Sequence, residues 1–321
     1  GPGVDKQDFE YIEDEIGVAQ FLAEIRTELK EYRYKPQPVL RCYIDKPGKP
    51  EKRPLGIPVI KDRVVQMAVK LVIEPIFEEN FLDCSYGFRS GRSAHQAIDV
   101  IRRRITFEYQ TVVIDADIKG YFKTDGLGTP QGGVLSPLLA NIYLHSFDKM
   151  FQLSGIPGTL VRYCDDFVIL LKRNGKLVLN QVRQMLGRLG LELHPDKTKI
   201  VHAEKGFDFL GMYFRLCPVR KKGSRLRKSC RIWPSDSSVS RIKQRVREVI
   251  GRRYSKAPED IITLLNPVLR GWNNYHKVRG IAPKRRRRLN AFVRERLRIF
   301  LKRKYSDQSR GNKRVPSSLP V

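Results

Sequence analysis

Two aspartates stand side by side in an otherwise apolar run. Asp165 and Asp166 lie between Tyr163 and the segment Phe167, Val168, Ile169, Leu170. Neither charge can be buried there without large cost unless a turn exposes it or a cation neutralises it. VVIDADI sets the same problem, with Asp115 and Asp117 at the end of a second strand-like run. A pair of hairpin turns carrying solvated acids would satisfy each run taken alone. Two such strands in one chain favour a shared divalent site, because acids at neighbouring strand tips can hold two Mg²⁺ ions a few ångströms apart, as in-line phosphoryl transfer requires.

Around these runs, helical and extended patterns alternate. Residues 17–32 place Phe21, Leu22, Ile25 and Leu29 at helical spacing. VLRCYIDKPGKPEKRPLGIP predicts a hairpin about a Pro/Gly/Lys turn. Residues 62–82 are expected to be helical, with Val65, Met67, Ala68, Leu71, Val72 and Ile76 on a broad apolar face. SYGFRSGRSAH starts as a Gly-rich loop and passes into a helix from about Ala94. TVVIDADI and VRYCDDFVILL each read as a strand, and TPQGGVLSPLLANIYLHSFDKMF between them gives a glycine turn and a long apolar helix. The amphipathic LNQVRQMLGRLGLEL and the β element FDFLGMYFRL complete an α+β body ending near residue 214. Residues 218–231 form a basic linker or hairpin, and three helical patterns follow over 240–253, 258–276 and 284–305.

Charge divides the chain differently. Residues 215–321 carry 32 basic and 6 acidic side chains, a net of +26, out of +28 for the whole. A nearly neutral body joined to so basic a third implies a polyanion held by one region, with nucleic acid the first candidate and an anionic membrane surface the second. In the helix over 240–253, Ile242, Val246, Val249 and Ile250 share one face while Arg245 and Arg252 lie among the bases of the other. Other classes drop out. Cys42, Cys84, Cys164, Cys217 and Cys230 form no CxxC pair and do not cluster with histidines, which argues against zinc modules and disulfide scaffolds. The start is acidic, and the longest uncharged stretch, 126–147, is broken by Pro130 and Pro137. The expectation is a soluble protein of a reducing compartment with no membrane partner, in the bacterial cytoplasm and associated with nucleic acid.

VVIDADIKGYF, TPQGGVLSPLLANIYL, RYCDDFVIL, LHPDKTK and FDFLGMYF resemble, in order, the palm motifs of reverse transcriptases. With RPLGIP and SYGFRSGRSAH upstream and GWNNYHKV and a basic helix downstream, the chain is similar to the group II intron-encoded reverse transcriptases and maturases. The resemblance implies an α+β right-hand polymerase, with fingers and an antiparallel palm sheet, plus an α-helical thumb/maturase domain. Its boundaries would be fingers 1–105, palm 106–214, basic linker 215–238 and thumb/maturase-specific domain 239–321. It implies RNA-directed DNA polymerase activity on an RNA template, with two Mg²⁺ ions (Mn²⁺ as a substitute), dNTPs and a DNA primer or target. Binding of group II intron RNA would assist splicing and mobility, and a homodimer is compatible with it.

Residue by residue, the resemblance makes Asp117 the first metal-binding acid, with the Ile118 carbonyl beside it. Spacing alone leaves Asp115 open, and the family pattern prefers Asp117. Asp165 and Asp166 would be the second bridging acid and its support. Lys197 is the expected general acid toward pyrophosphate, with Lys199 the alternative. Lys46 and Arg53 match positions that grip the triphosphate, Arg through its bidentate fork. Phe122 falls at the ribose gate, although a core aromatic has the same appearance. Gln131 and Gly132 lie against the nucleotide, where glycine permits close backbone approach. Arg89 and Arg92 would contact template phosphates, and Arg245, Arg252, Arg285 and Arg286 structured RNA. Trp272, Tyr275 and His276 could stack bases, but Trp272 at helical spacing reads as core.

The chain departs from the family in one place. Asp117 and Gln131 are 14 residues apart, where the family has a much longer insert. Extended, 14 residues reach at most about 46 Å, enough to connect the strand to the next helix. The gap is either a segment omitted from this sequence, which the abrupt junction at Thr124-Asp125-Gly126 favours, or a true deletion, which predicts impaired catalysis with RNA binding retained. The alternative is therefore a non-catalytic RNA-binding maturase on a degraded polymerase scaffold, or a domesticated, CRISPR-associated reverse transcriptase. An RNA-dependent RNA polymerase is disfavoured by Phe122 and YCDD. No Cys/His set after His276 suggests an HNH nuclease, so strand nicking is not expected.

Overall fold

A computed structural model describes residues 1–45, 52–119, 121, 132–219, 227–251, 257–278 and 283–306, the side chains of 283–286 and 306 excepted. Lys46, Phe122, Gln131 and Arg252 fall outside these residues, as do the side chains of Arg285 and Arg286. The helices are α1 (Phe9–Tyr11), α2 (Val18–Lys30), α3 (Ile60–Glu78), α4 (Ala94–Phe107), α5 (Ser136–Leu153), α6 (Gly175–Arg188), α7 (Asp236–Ile250), α8 (Pro258–Tyr275) and α9 (Pro283–Ser306). The strands are β1 (Leu40–Asp45), β2 (Lys52–Ile57), β3 (Val112–Asp117), β4 (Gly158–Tyr163), β5 (Asp166–Leu171), β6 (Lys199–His202), β7 (Phe207–Phe209), β8 (Met212–Val219) and β9 (Arg227–Pro234). Two compact units result, one of Gly1–Arg104 with Tyr109–Val201, the other of Ile105–Glu108 with His202–Val321.

In the first unit, β1 and β2 pair antiparallel from Leu40↔Ile57 to Asp45↔Lys52, as the turn-rich sequence predicts. The main sheet has the order β4-β5-β3-β6, with β5 antiparallel to both neighbours. VRYCDDFVILL is therefore not one strand but the heart of a hairpin. Period-two alternation sends Ile114, Ala116, Phe167, Ile169 and Leu171 to one face. There they meet Leu144, Phe147 and Phe151 of α5 and Val178, Val182 and Leu186 of α6, spaced to share one helical side. Each fully buried Ile, Leu or Phe contributes about 1.5–3 kcal/mol, which fixes the register on which the opposite face depends. A smaller cluster joins Ile12, Phe21, Ile25 and Ile60, with Val64 and Val65 of α3 against it. The apolar face expected on α3 is covered only at that end: Leu71, Val72 and Ile76 are 67%, 68% and 62% exposed.

The second unit pairs β7, β8 and β9 in an antiparallel sheet, from Met212↔Pro234 to Val219↔Arg227 between the longer strands. Residues 218–231, read as linker or hairpin, thus supply paired strand at both described ends. α7 is capped by the Ser235 hydroxyl, which accepts from the Ser238 N–H at 3.1 Å. Ile242, Val246 and Ile250 of α7 pack with Ile261 and Leu265 of α8 and Leu289, Val293 and Phe300 of α9. Among the described residues no helix is long and apolar enough to cross a membrane.

Candidate active site

The alternation that buries one sheet face puts Asp115 and Asp117 of β3 on the other. Asp117 stands directly opposite Asp166 of β5, and Asp115 opposite Val168. β4 and β5 close with Tyr163↔Asp166, leaving Cys164 and Asp165 as a two-residue loop. Cys164 takes φ 59° while Asp165 does not, the φ pattern of a type II′ turn, which prefers glycine at that first position. The turn brings Asp165 beside the Asp117–Asp166 pair. Burial pushes the Asp165 carboxyl above the usual range, and the Asp117 charge adds to it. Burial, then repulsion from Asp165 and Asp117, drives Asp166 up to about 7, although Asp166 keeps an open edge to water.

One cation answers this crowding. The His194 N–H donates to the Asp117 carbonyl at 2.8 Å, and a tight turn carries the Thr198 N–H back to the His194 carbonyl at 3.0 Å. That geometry delivers the Lys197 ammonium onto the Asp117 carboxylate in a direct ion pair. Lys199 lies beyond it on β6 and is exposed.

Behind the turn is a network that sequence reasoning missed. Arg162 is fully buried, and its guanidinium forks onto Asp148 of α5, Nε to Oδ1 at 2.8 Å and Nη2 to Oδ2 at 2.5 Å. Its Nη1 donates to Asn141 Oδ1 at 3.0 Å and to the Cys164 carbonyl at 3.1 Å. Asn141 in turn donates to the Gly87 carbonyl at 2.7 Å. A Cβ on Gly87 would lie 2.6 Å from the Cys164 nitrogen, so only glycine lets this loop meet the turn. The available signal was charge inside apolar periodicity: Asp148 in LHSFDKMF and Arg162 in LVRY pose the same burial problem as the acidic pair.

Comparison with known proteins gives two regional matches: "Reverse transcriptase (RNA-dependent DNA polymerase)" over residues 123–214 and "Group II intron, maturase-specific domain" over residues 239–315. Protein YkfC of Escherichia coli (strain K12) is 32% identical over 288 residues, taking in 65% of this chain and 74% of that protein. The chain belongs to the group II intron reverse transcriptase/maturase family. Within the family, the group II intron-encoded protein LtrA of Lactococcus lactis subsp. cremoris is 29% identical over 308 residues, covering 63% of this chain and 50% of LtrA. Maturase-like protein 1 of Euglena gracilis is 25% identical over 251 residues, 69% of this chain and 53% of its own. The chain thus spans about half the length of these last two.

Against this family background, the expected site residues separate. Asp117, Ile118, Asp165, Asp166 and Lys197 come together. The three carboxylates and the Ile118 carbonyl offer hard oxygen donors suited to Mg²⁺ or Mn²⁺. Among the described residues, however, no three His, Cys, Asp or Glu side chains already close on a metal position. The fit is therefore one of donor chemistry and of surplus negative charge. Gly132, at φ 114°, sits where a Cβ would fall 2.4 Å from the Gly56 carbonyl of β2. The neighbouring Val134 N–H is tied to Gln66 of α3 at 2.9 Å. Arg53 is exposed on β2, opposite Ile44.

Arg89 departs from expectation. Its side chain is 3% exposed and is bound to the Glu78 carboxylate at 2.6 Å and to the Leu82 and Ser85 carbonyls at 2.7 and 2.9 Å. With its donors spent on Glu78 and backbone carbonyls, it braces the GFRSGRS loop. Arg92 is ion-paired with Asp83 and partly exposed. Arg245 is exposed on α7 and 3.2 Å from Glu248. Trp272 and His276 are structural: the indole N–H donates to Ser238 Oγ at 3.1 Å, and the buried imidazole bonds Ser238 Oγ at 3.0 Å and the Trp272 carbonyl at 2.8 Å.

Proposed function

We propose that the chain is an RNA-directed DNA polymerase of group II intron type, transferring nucleotides from dNTPs to a DNA primer on an RNA template. The observation that carries this reading is the register Asp117↔Asp166 with Asp165 in the adjoining turn. Asp117, Asp165, Asp166 and the Ile118 carbonyl would hold two Mg²⁺ ions. Such ions would supply charge neutralisation at the α-phosphate and activation of the primer 3′-hydroxyl. The protein's part is placement. Strand alternation holds Asp117 and Asp166 on one face, the turn adds Asp165, and Lys197, once released from Asp117, would protonate the pyrophosphate oxygen. Arg53 and Lys46 grip the triphosphate. Phe122 excludes a 2′-hydroxyl, and Gln131 with Gly132 line the nucleotide. The architecture is read as a right hand, with fingers, palm and thumb in chain order. The basic helices α7 and α9 bind intron RNA through its phosphates, and Arg92 remains a template contact. The setting is bacterial cytoplasm.

A second reading, a non-catalytic maturase, is favoured by the ammonium of Lys197 on Asp117 and by the short Asp117–Gln131 linkage. Primer extension on RNA with Mg²⁺ and dNTPs separates the two, with Asp165→Ala beside wild type at equal RNA occupancy. Extension abolished by the substitution supports the polymerase. No extension from folded, RNA-bound wild type refutes it and leaves the maturase.

A further inference from the structure

The Asp148–Arg162–Asn141 network is a costly way to stabilise a fold. A fully buried ion pair gives up hydration that its own attraction often fails to restore, and an apolar trio of equal volume commonly serves stability as well or better. What an apolar trio cannot do is hold a carbonyl in place. Arg162 spends one nitrogen on the Cys164 carbonyl, the first residue of the carboxylate turn. That residue sits at φ 59° without being glycine, a strained conformation that persists only when its surroundings impose it. Three restraints converge there. Asp148 fixes the guanidinium plane through two bonds, Asn141 fixes its far edge, and Gly87, held by Asn141, closes against the Cys164 nitrogen.

We propose that Asp148, Arg162 and Asn141 are positioning residues that set the separation of the Asp165 and Asp117 carboxylates, and through it their capacity to hold divalent ions. The network touches neither substrate nor reacting atoms. It acts by denying the turn its relaxed alternatives. Arginine is required for its fork, since a lysine ammonium could pair with Asp148 but could not also reach Asn141 and the Cys164 carbonyl in fixed geometry. The inference rests on the polymerase reading for its activity readout only.

The test uses the full chain and Mn²⁺ as probe, with free ion followed by electron paramagnetic resonance. Wild type, Arg162→Lys, Asn141→Ala and the site control Asp117→Asn are compared at a temperature where circular dichroism reports folded protein. Arg162→Lys and Asn141→Ala are expected to weaken Mn²⁺ binding by about 10- to 100-fold, as supporting-shell losses do. In primer extension, kcat falls by a similar factor while KM for dNTP stays within about twofold. Variants that lose thermal stability but bind Mn²⁺ like wild type overturn the proposal, because the network would then be structural only. Should Arg162→Lys not fold, Asn141→Ala keeps the ion pair intact and decides alone. Wild type that binds Mn²⁺ at the Asp117 site without extending primer sinks the polymerase reading, while the titration still decides the positioning role. Wild type that binds no Mn²⁺ there overturns the positioning role itself.

Discussion

Asp148→Ala gives the most demanding check on the energetics behind the sheet. In the native protein both partners have side-chain exposures of 0%, and two of the guanidinium's bonds go to this carboxylate. Removing it strands a buried cation with only Asn141 and the Cys164 carbonyl, neither of which carries charge. Breaking one side of such a pair costs about 3–5 kcal/mol. For a cooperative unit of this size, each kcal/mol lowers the melting temperature by about 2–4 °C. The expected loss is therefore roughly 6–20 °C, read by circular dichroism on heating and by the urea midpoint. The double substitution Asp148→Leu/Arg162→Met removes both charges together and should recover at least about 2 kcal/mol of the loss. A cost under about 1 kcal/mol for the single change, or a double variant no better than the single, would refute the account of Arg162 as a charge dependent on its partner.

Metal-free stability should fall as pH rises from about 4 to about 7, because Asp166 holds its proton in the folded state up to about 7 and releases it earlier when unfolded. Urea midpoints at the two ends should differ in wild type, and the difference should shrink in Asp166→Asn; an unchanged slope would count against the crowding. Gly87→Ala forces a methyl toward the Cys164 nitrogen 2.6 Å away and should cost about 1–3 kcal/mol, measured by thermal melting. His276→Ala strips the buried bond to Ser238 that joins α7 to the end of α8, and a second to the Trp272 carbonyl within α8, and should cost the second unit about 1–3 kcal/mol, seen as faster proteolysis there. Arg89→Ala should lower stability through the loss of its Glu78 and carbonyl bonds, and leave the salt dependence of RNA binding unchanged, since a residue without phosphate contacts releases no counterions.

Much of the site could be read from the chain because its signals are local. Asp115 and Asp117 differ from their neighbours in VVIDADI in a way that period-two alternation interprets directly, and the Gly-rich and basic segments announce themselves. What could not be read is non-local. VRYCDDFVILL looks like a single strand because Cys164 is not a turn former, and only pairing with β3 on one side and β4 on the other reveals the hairpin. Arg89 and Arg162 look alike in sequence to arginines that meet phosphate. Their burial depends on carboxylates 11 and 14 residues away on other elements. The α3 stripe was legible as apolar, but whether other elements cover it is a property of the tertiary fold.

The two-residue loop at Cys164–Asp165 also limits how this protein can vary in length. Strand faces alternate residue by residue, so one inserted or deleted residue in β5 beside the loop would exchange the roles of Asp166 and Phe167. An acid would enter the packed interior and an aromatic ring would emerge among the carboxylates. Point substitutions at the turn can be graded in effect, whereas single-residue length changes cannot. In a random insertion–deletion library selected only for soluble expression, residues 160–171 should therefore return almost no single-residue length variants.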